Sequence, residues 1–394
     1  MGSAHNTIEG SGSPRLAWTA TRERLVREHW RYAIAFLFTL TLTVRLAYRL
    51  VVLPAMQGEA LGTPKVPAGP DPYDVIAQNV LAGNGFVTER GSLPYLRRGP
   101  GYVAYLIVVR TILGSSEAAI VVAHALTDAA STVVLILLAT WVAGRPIVGM
   151  LAGLCFSLYP EAIRRTPGPA TEPWFTFLLL LLCCALLWLF DNHTWRRAAV
   201  CGCLIGLMSL TRPSFQFFPI FLAGVILLRY GKGAWSAIRS QAVLALAFAM
   251  VVMPWTIRNY RVTGWFIPVT TEGPSDLYLG TQIEYGPDFF ASREAAVARR
   301  LEVGHELAAR GGGVDAEHRF LTLALQEIRS RPVRYARSVG HRLLGFWHLT
   351  QTRLGAVKNL AEHVPIYALA ALGFVGLIGA AEGGSSYCCS HWST

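Results

Sequence analysis

The chain contains few charged residues. Only 15% of its 394 residues are Asp, Glu, Lys or Arg, whereas soluble globular domains carry about 25%. Hydrophobic residues make up 53% of the sequence, and the mean hydropathy is +0.40. This composition excludes an ordinary soluble domain and predicts a membrane protein with repeated apolar segments.

Several signatures of other protein classes are missing. The chain has seven cysteines, but their spacing fits neither a disulfide framework nor a zinc site. No glycine-rich loop of the kind that cradles nucleotide phosphates is present. We therefore predict no cofactor, although one or two carboxylates could hold a divalent cation.

The positive charge is spread rather than clustered. The formal net charge is +11, with Lys and Arg scattered through short loops between apolar segments. Such a pattern favours positive-inside topology and contact with lipid phosphate over nucleic-acid binding. The first 31 residues carry five arginines and no clean cleavage site, which indicates a cytoplasmic tail followed by a retained span.

The predicted fold class is an all-α polytopic membrane protein with about 8 spans. We place them at residues 33–53, 117–143, 147–160, 172–190, 198–211, 214–229, 241–257 and 363–380. Residues 102–113 are too few for a span and are interrupted by Arg110, so a re-entrant or interfacial helix is expected there.

The spans divide the chain into five parts. They are a cytoplasmic basic tail (1–32), a transmembrane catalytic module (33–257) with a first outer loop (54–101), an outer loop with interfacial helices (258–362), a last span (363–380) and an atypical tail (381–394). The composition of this tail suggests a truncated or frame-shifted product. In the outer loop after residue 258 we expect a turn-rich part at 270–287, then charged helices at 292–310 and 316–331. This topology brings the polar residues able to do chemistry to one side of the membrane.

The first outer loop contains a predicted surface helix. Asp71 is a possible N-cap, Pro72 suits the first helical position, and residues 83–85 (GNG) form a stop.

Four local patterns together resemble one family. They are residues 71–77 (DPYDVIA) with 83–86 (GNGF), residues 98–102 (RGPGY), residues 171–173 (TEP) and residues 254–260 (PWTIRNY). Their order and spacing are similar to those of the GT-C membrane glycosyltransferases, especially the protein O-mannosyltransferase type (family 39) and bacterial relatives that use polyprenyl-phosphate sugars. The resemblance implies a GT-C-like helix bundle and an inverting sugar transfer, with a first-loop acid as the base.

The resemblance assigns roles to acidic residues. Asp71 is the preferred base, and Asp74 stays open as the alternative. Both also suit the start of a helix, where a carboxylate caps the backbone or favours the dipole. Glu172 is similar to the family's second-loop acid, which could orient the acceptor or a metal, with Arg164 and Arg165 as partners.

Four arginines are candidates for binding the donor phosphate, because a guanidinium can hold phosphate oxygens in bidentate fashion. They are Arg97, Arg98, Arg212 and Arg258. The alternative role of Arg97, Arg98 and Arg212 is anchoring at lipid headgroups or the interface, and that of Arg258 is anchoring of its loop.

Some charged residues lie inside predicted spans. His124 and Asp128 are one helical turn apart and are expected to form a hydrogen-bonded packing pair. Arg45 and Arg49 could reach lipid headgroups or the lipid phosphate of the donor.

These expectations describe an enzyme of the bacterial inner membrane with its active site on the extracytoplasmic face. Its partners would be membrane lipids, a polyprenyl-phosphate-linked sugar donor and an acceptor that is a protein, a glycolipid or a cell-wall glycan; no nucleic acid is expected. The alternative is a polytopic transporter or flippase of lipid-linked sugars, which predicts charges deep in several spans.

Overall fold

The computed structural model describes residues 14–57, 72–230, 235–284, 289–309 and 313–348. Within these ranges the protein is all-helical, with no strand. The chain divides into two compact units, unit 1 (Met1–Thr270) and unit 2 (Thr271–Thr394). Asp71, the predicted span 363–380 and the predicted tail 381–394 lie outside the described residues.

Unit 1 contains most of the apolar helices. They are α1 (Pro14–Ala47), a π-helical turn (Tyr48–Val52), α2 (Leu53–Gln57), α3 (Pro72–Leu81), α4 (Pro100–Leu113), α5 (Glu117–Ala143), α6 (Pro146–Ser157), α7 (Pro160–Arg165), α8 (Glu172–Asp191), α9 (Trp195–Thr211), a 3₁₀ turn (Pro213–Phe217), α10 (Phe218–Tyr230) and α11 (Trp235–Thr263).

Four stretches of the described chain are helical, long and apolar enough to cross a membrane: His29–Met56, Glu117–Ala143, Glu172–Asp191 and Ile238–Thr263. They support four of the predicted spans. The segments predicted at 147–160, 198–211 and 214–229 are helical but shorter; α6, for example, has 12 residues and rises only about 18 Å against a hydrocarbon core of about 30 Å.

Helix α4 has 14 residues and is also too short to span, as predicted for this segment. It begins at Pro100, in the position where a missing N–H costs nothing. Tyr102, Val103 and Leu106 are buried against α3 and α5, so the helix is part of the core of unit 1.

Close backbone packing joins α9 to α11. A Cβ on Gly202 would lie 2.3 Å from the carbonyl oxygen of Leu244, and one on Gly206 would lie 2.7 Å from Cβ of Val251. Small residues allow helices to approach closely in apolar surroundings, where dispersion contacts replace the hydrophobic effect. The contact packs Ile205 and Met208 into a buried cluster with α8.

Close backbone packing at glycines also joins α5 to α6. A Cβ on Gly149 would lie 2.4 Å from the carbonyl oxygen of Ile136, and one on Gly153 would lie 2.5 Å from Cγ1 of the same residue. Leu37 of α1 lies 3.3 Å from that second position, so three helices meet there.

Unit 2 is built from α12 (Glu272–Gln282), α13 (Phe289–Ala309), α14 (Gly313–Ser330) and α15 (Pro332–His348). Its core contains Tyr278, Phe320 and Ala324. The two charged helices match the predictions at 292–310 and 316–331. The prediction of a turn-rich part at 270–287 is wrong over α12, because Tyr278 and Thr281 recur at helical spacing and are buried on one face.

A glycine pair tests the α9–α11 contact. Gly202→Ala should lower the free energy of unfolding by about 1–3 kcal/mol through overpacking. Gly224→Ala is the matched control: nothing lies within 4 Å of a Cβ there, and the helix propensity of alanine should stabilise α10 by up to about 1 kcal/mol. Equal effects, measured by denaturant titration of the detergent-solubilised protein, would contradict the close approach.

Candidate functional site

The loop after α3 is shaped by its own polar contacts. Gly83 has φ +78°, a left-handed conformation that favours glycine and ends the helix. Asn79 Nδ2 donates to the carbonyl oxygens of Val87 at 3.0 Å and Thr88 at 3.3 Å. The predicted helix and its glycine stop are therefore present.

Asp74 is held by an arginine. Arg110 Nη2 donates to Oδ1 at 2.6 Å and to Oδ2 at 2.7 Å, and Arg110 Nε donates to Oδ1 at 2.8 Å. Gln78 Nε2 adds a bond of 2.9 Å to Oδ2. Arg110 also donates to the carbonyl oxygen of Ser115. Because both carboxylate oxygens accept bonds, Asp74 fastens α3 to α4.

The RGPGY segment touches the end of α9. A Cβ on Gly99 would lie 2.1 Å from the carbonyl oxygen of Leu210, and one on Gly101 would lie 2.5 Å from Oγ1 of Thr211. Only glycine fits at either position without a shift of backbone. The segment that carries Arg97 and Arg98, both half-buried, is thereby fixed beside Arg212.

Aromatic side chains connect this segment to α8. Arg98 lies over the ring of Tyr73, with Cζ 5.4 Å from the centroid. Tyr73 meets Tyr102 edge to face at 5.2 Å. Tyr102 stacks on Tyr105, and Tyr105 stacks on Trp174 at 4.9 Å. A continuous aromatic layer thus runs from the first loop to the residues that follow Glu172.

Glu172 pairs with Arg212. Arg212 Nη2 lies 3.1 Å from Glu172 Oε1 and donates to Thr171 Oγ1 at 3.2 Å. Arg165 is 3.9 Å from the same carboxylate. Arg212 also lies over the ring of Phe175.

The predicted partners of Glu172 are therefore only partly right, because Arg164 and Arg165 chiefly bind Glu161. Arg164 Nη2 and Arg165 Nε each lie 2.8 Å from that carboxylate. Burial alone would raise the pKa of Glu161, but the hydrogen bonds and charges of the two arginines outweigh it and lower the pKa below its ordinary value.

Arg258 lies between aromatic rings. Its Cζ is 4.6 Å from the ring centroid of Trp255 and 5.5 Å from that of Phe86, and Nη1 donates to Asn259 Oδ1 at 3.0 Å. Phe86 and Trp255 themselves meet at 4.7 Å. No carboxylate of the described residues forms an ion pair with Arg258, which leaves donor capacity for an anion.

The PWTIRNY segment also holds the chain that returns from α11. Trp255 Nε1 donates to the carbonyl oxygen of Val269 at 2.7 Å, and Asn259 Nδ2 donates to those of Ile267 at 3.1 Å and Val269 at 3.2 Å. Val269 in turn packs beside Gly99. All described parts of the four patterns are thus joined by contacts at one end of unit 1.

The prediction that His124 and Asp128 bind each other is wrong. His124 Nδ1 lies 3.3 Å from the carbonyl oxygen of Thr166, so Nε2 accepts from the hydroxyl of Tyr102 at 2.9 Å. Asp128 accepts from Arg45 Nε at 2.9 Å and from Thr166 Oγ1 at 3.1 Å. Thr166, the residue that follows α7, therefore contacts both side chains, His124 through its carbonyl oxygen and Asp128 through its hydroxyl.

Arg45 is fully buried rather than directed to lipid headgroups. Besides Asp128 it donates to the carbonyl oxygens of Ser157 at 2.8 Å and Phe156 at 3.1 Å. Arg49, by contrast, lies 3.9 Å from Glu117, which is largely exposed.

Sequence reasoning missed Arg110 and Thr166 as organising residues. Arg110 stood out only as a charge inside an apolar stretch, which is itself a signal of a buried partner. Nothing in the sequence around Thr166 distinguishes it, since its role depends on where α7 ends relative to α5.

Among the described residues, no group of three or more His, Cys, Asp or Glu side chains could hold a metal ion. Comparisons with protein-family models, with curated proteins and with solved structures found no match.

The buried ion pair provides a stability test. Arg45→Met should cost about 3–5 kcal/mol, because it leaves Asp128 charged, buried and without its main partner. The matched control Arg49→Met should change stability by at most about 1 kcal/mol, since its partner is exposed.

A double-mutant cycle with Asp128→Leu gives the coupling. The double variant should be less destabilised than the sum of the two single variants, because it removes both charges together. Additive free energies of unfolding would show that the two side chains are not coupled.

Proposed function

We propose that the protein is a membrane glycosyltransferase of the GT-C type, which transfers a sugar from a polyprenyl-phosphate-linked donor to an acceptor on the extracytoplasmic face of a bacterial inner membrane. The observation that carries the proposal is the convergence of motif segments far apart in sequence. Phe86 meets Trp255 and Arg258, and Gly99 meets Leu210 next to the Glu172–Arg212 pair.

The proposed reaction needs a base for the acceptor. A carboxylate takes the proton of the acceptor hydroxyl as that oxygen attacks the anomeric carbon of the donor sugar. The bond between this carbon and the phosphate oxygen breaks, and polyprenyl phosphate leaves with the bonding electrons. Inversion at the anomeric carbon follows from a single displacement.

The contacts of Asp74 favour the other first-loop aspartate, Asp71, for this role. The carboxylate of Asp74 already pairs with Arg110 and accepts a hydrogen bond from Gln78. Protonation of Asp74 would therefore weaken the ion pair that connects α3 to α4. Asp71 directly precedes Pro72, the first residue of α3. We therefore assign Asp71 as the base and Asp74 as the residue that positions α3.

Two arginines are best suited to the phosphate that leaves. Arg258 has two aromatic rings for orientation and no described acid partner. Arg98 lies over Tyr73 in the fixed segment before α4, with Arg97 adjacent. The charge of Arg212 is already partly neutralised by Glu172, and this ion pair orders the ends of α8 and α9 that meet at the site. Glu172 is partly exposed, which is compatible with a role in orienting the acceptor.

Substitution of the aspartates tests the base. In proteoliposomes supplied with a panel of labelled polyprenyl-phosphate sugars and membrane acceptors, Asp71→Asn should lower the transfer rate by about 10²–10⁴-fold. Asp74→Asn should lower transfer less and lower the free energy of unfolding as well. Asp191→Asn, an acid at the other end of α8 that pairs with Arg197, is the control and should transfer normally.

Unchanged transfer by the Asp71 variant would refute the base assignment. Movement of an intact lipid-linked sugar across the bilayer without transfer would instead support the alternative, a transporter or flippase.

Substitution of Arg258 tests the phosphate site. Arg258→Met should lower kcat/KM by about 10–10²-fold, because charge-assisted hydrogen bonds to the departing phosphate are lost. Arg261→Met is the matched control, because Arg261 is exposed at the end of the same helix. Equal losses in both variants would show that general surface charge, rather than the Arg258 site, matters.

A further inference from the structure

Helix α15 presents apolar residues outward from unit 2. Val333 is 71% exposed and Leu343 is 66% exposed, and Ala336 between them is exposed as well. With Gly340, these residues recur at intervals of three and four, so they form one stripe along the helix. We call residues 333, 336, 340 and 343 the apolar stripe.

The other side of α15 is polar and packed. Arg342 Nη2 donates to the carbonyl oxygen of Gly280 at 3.2 Å and to Ser338 Oγ at 3.2 Å, and Ser338 is buried. Arg334 Nη2 lies 2.6 Å from Glu284 Oε1. A helix of a water-soluble domain buries its large apolar side chains, whereas α15 leaves Val333 and Leu343 exposed.

Exposed cations accompany the stripe. Arg337 follows Val333 by one helical turn, and Arg329 lies at the end of the preceding helix; both are exposed and neither forms an ion pair with an acid of the described residues. An apolar stripe with Arg337 beside it, and a second exposed arginine at the end of the preceding helix, suits the boundary between acyl chains and anionic phosphates. The same chain also contains, in unit 1, four helices that are long and apolar enough to span a bilayer.

We propose that α15 is an interfacial membrane helix, with its apolar stripe at the acyl chains and Arg329 and Arg337 at the phosphates of anionic phospholipids. The inference is independent of the proposed sugar transfer. It assigns a lipid-binding surface to unit 2. The folded state of α15 then includes its contact with the bilayer.

Hydrogen exchange of the full chain tests this surface. In nanodiscs of phosphatidylethanolamine and phosphatidylglycerol, the amides of residues 332–343 should exchange about tenfold more slowly in the wild type than in the Val333→Asp/Leu343→Asp variant. Leu301→Asp is the matched control: it changes another exposed leucine of unit 2, 54% exposed on α13, and should leave exchange in α15 unchanged. Equal exchange in the wild type and the double variant would overturn the proposal.

Photo-crosslinking identifies what covers the stripe. A benzophenone amino acid at position 343 of the full chain in the same nanodiscs should give a phospholipid adduct by mass spectrometry. The same probe at exposed position 301 reports background labelling. A crosslink from 343 to residues 349–394, a crosslink to a second copy of the chain, or no adduct above background would each overturn the lipid assignment.

Discussion

The pairing of buried charge is the constraint on which the rest of unit 1 depends. In an apolar interior an isolated charge is too costly to keep, so each buried ion must find a partner when the helices assemble. Arg45 meets Asp128 at 2.9 Å, with the hydroxyl of Thr166 and two backbone carbonyls completing the set. These contacts connect α1, α5, the end of α6 and the end of α7, and thereby fix the frame on which the candidate site lies.

The same constraint separates charges that hold the structure from charges free to act on a ligand. Arg110 forms an ion pair with Asp74, and Arg212 forms one with Glu172. Arg258 is ordered by Phe86 and Trp255 instead of by a described carboxylate. An aromatic ring orients a guanidinium while leaving most of its N–H donors available, which is the arrangement suited to an anion that binds and leaves. The proposed phosphate role of Arg258 follows from this difference.

Local signals predicted local structure well and distant partners poorly. Pro72 and the GNG stop predicted α3, and the short apolar run at 102–113 predicted a helix too short to span. The described residues support four of the predicted spans, since apolar runs such as 147–160 form helices of only about three turns there. Partners were harder to predict because they depend on helix packing. Arg45 was expected at lipid headgroups or at the lipid phosphate of the donor, and His124 beside Asp128, yet Arg45 pairs with Asp128 and His124 meets Thr166 after α7. The roles of Gly99 and Gly101 became clear only from the backbone of α9.

In the proposed reaction, the end of unit 1 that carries Arg98 and Arg258 receives the phosphate of a lipid-linked sugar. A cryo-electron microscopy structure of the protein in nanodiscs with a non-transferable polyprenyl-phosphonate sugar would show where this group binds. We predict the phosphonate within hydrogen-bonding distance of the Arg258 guanidinium, with the sugar facing the first outer loop. A phosphonate bound instead at the opposite end of α8, near Arg197, would refute the proposed phosphate site at Arg258.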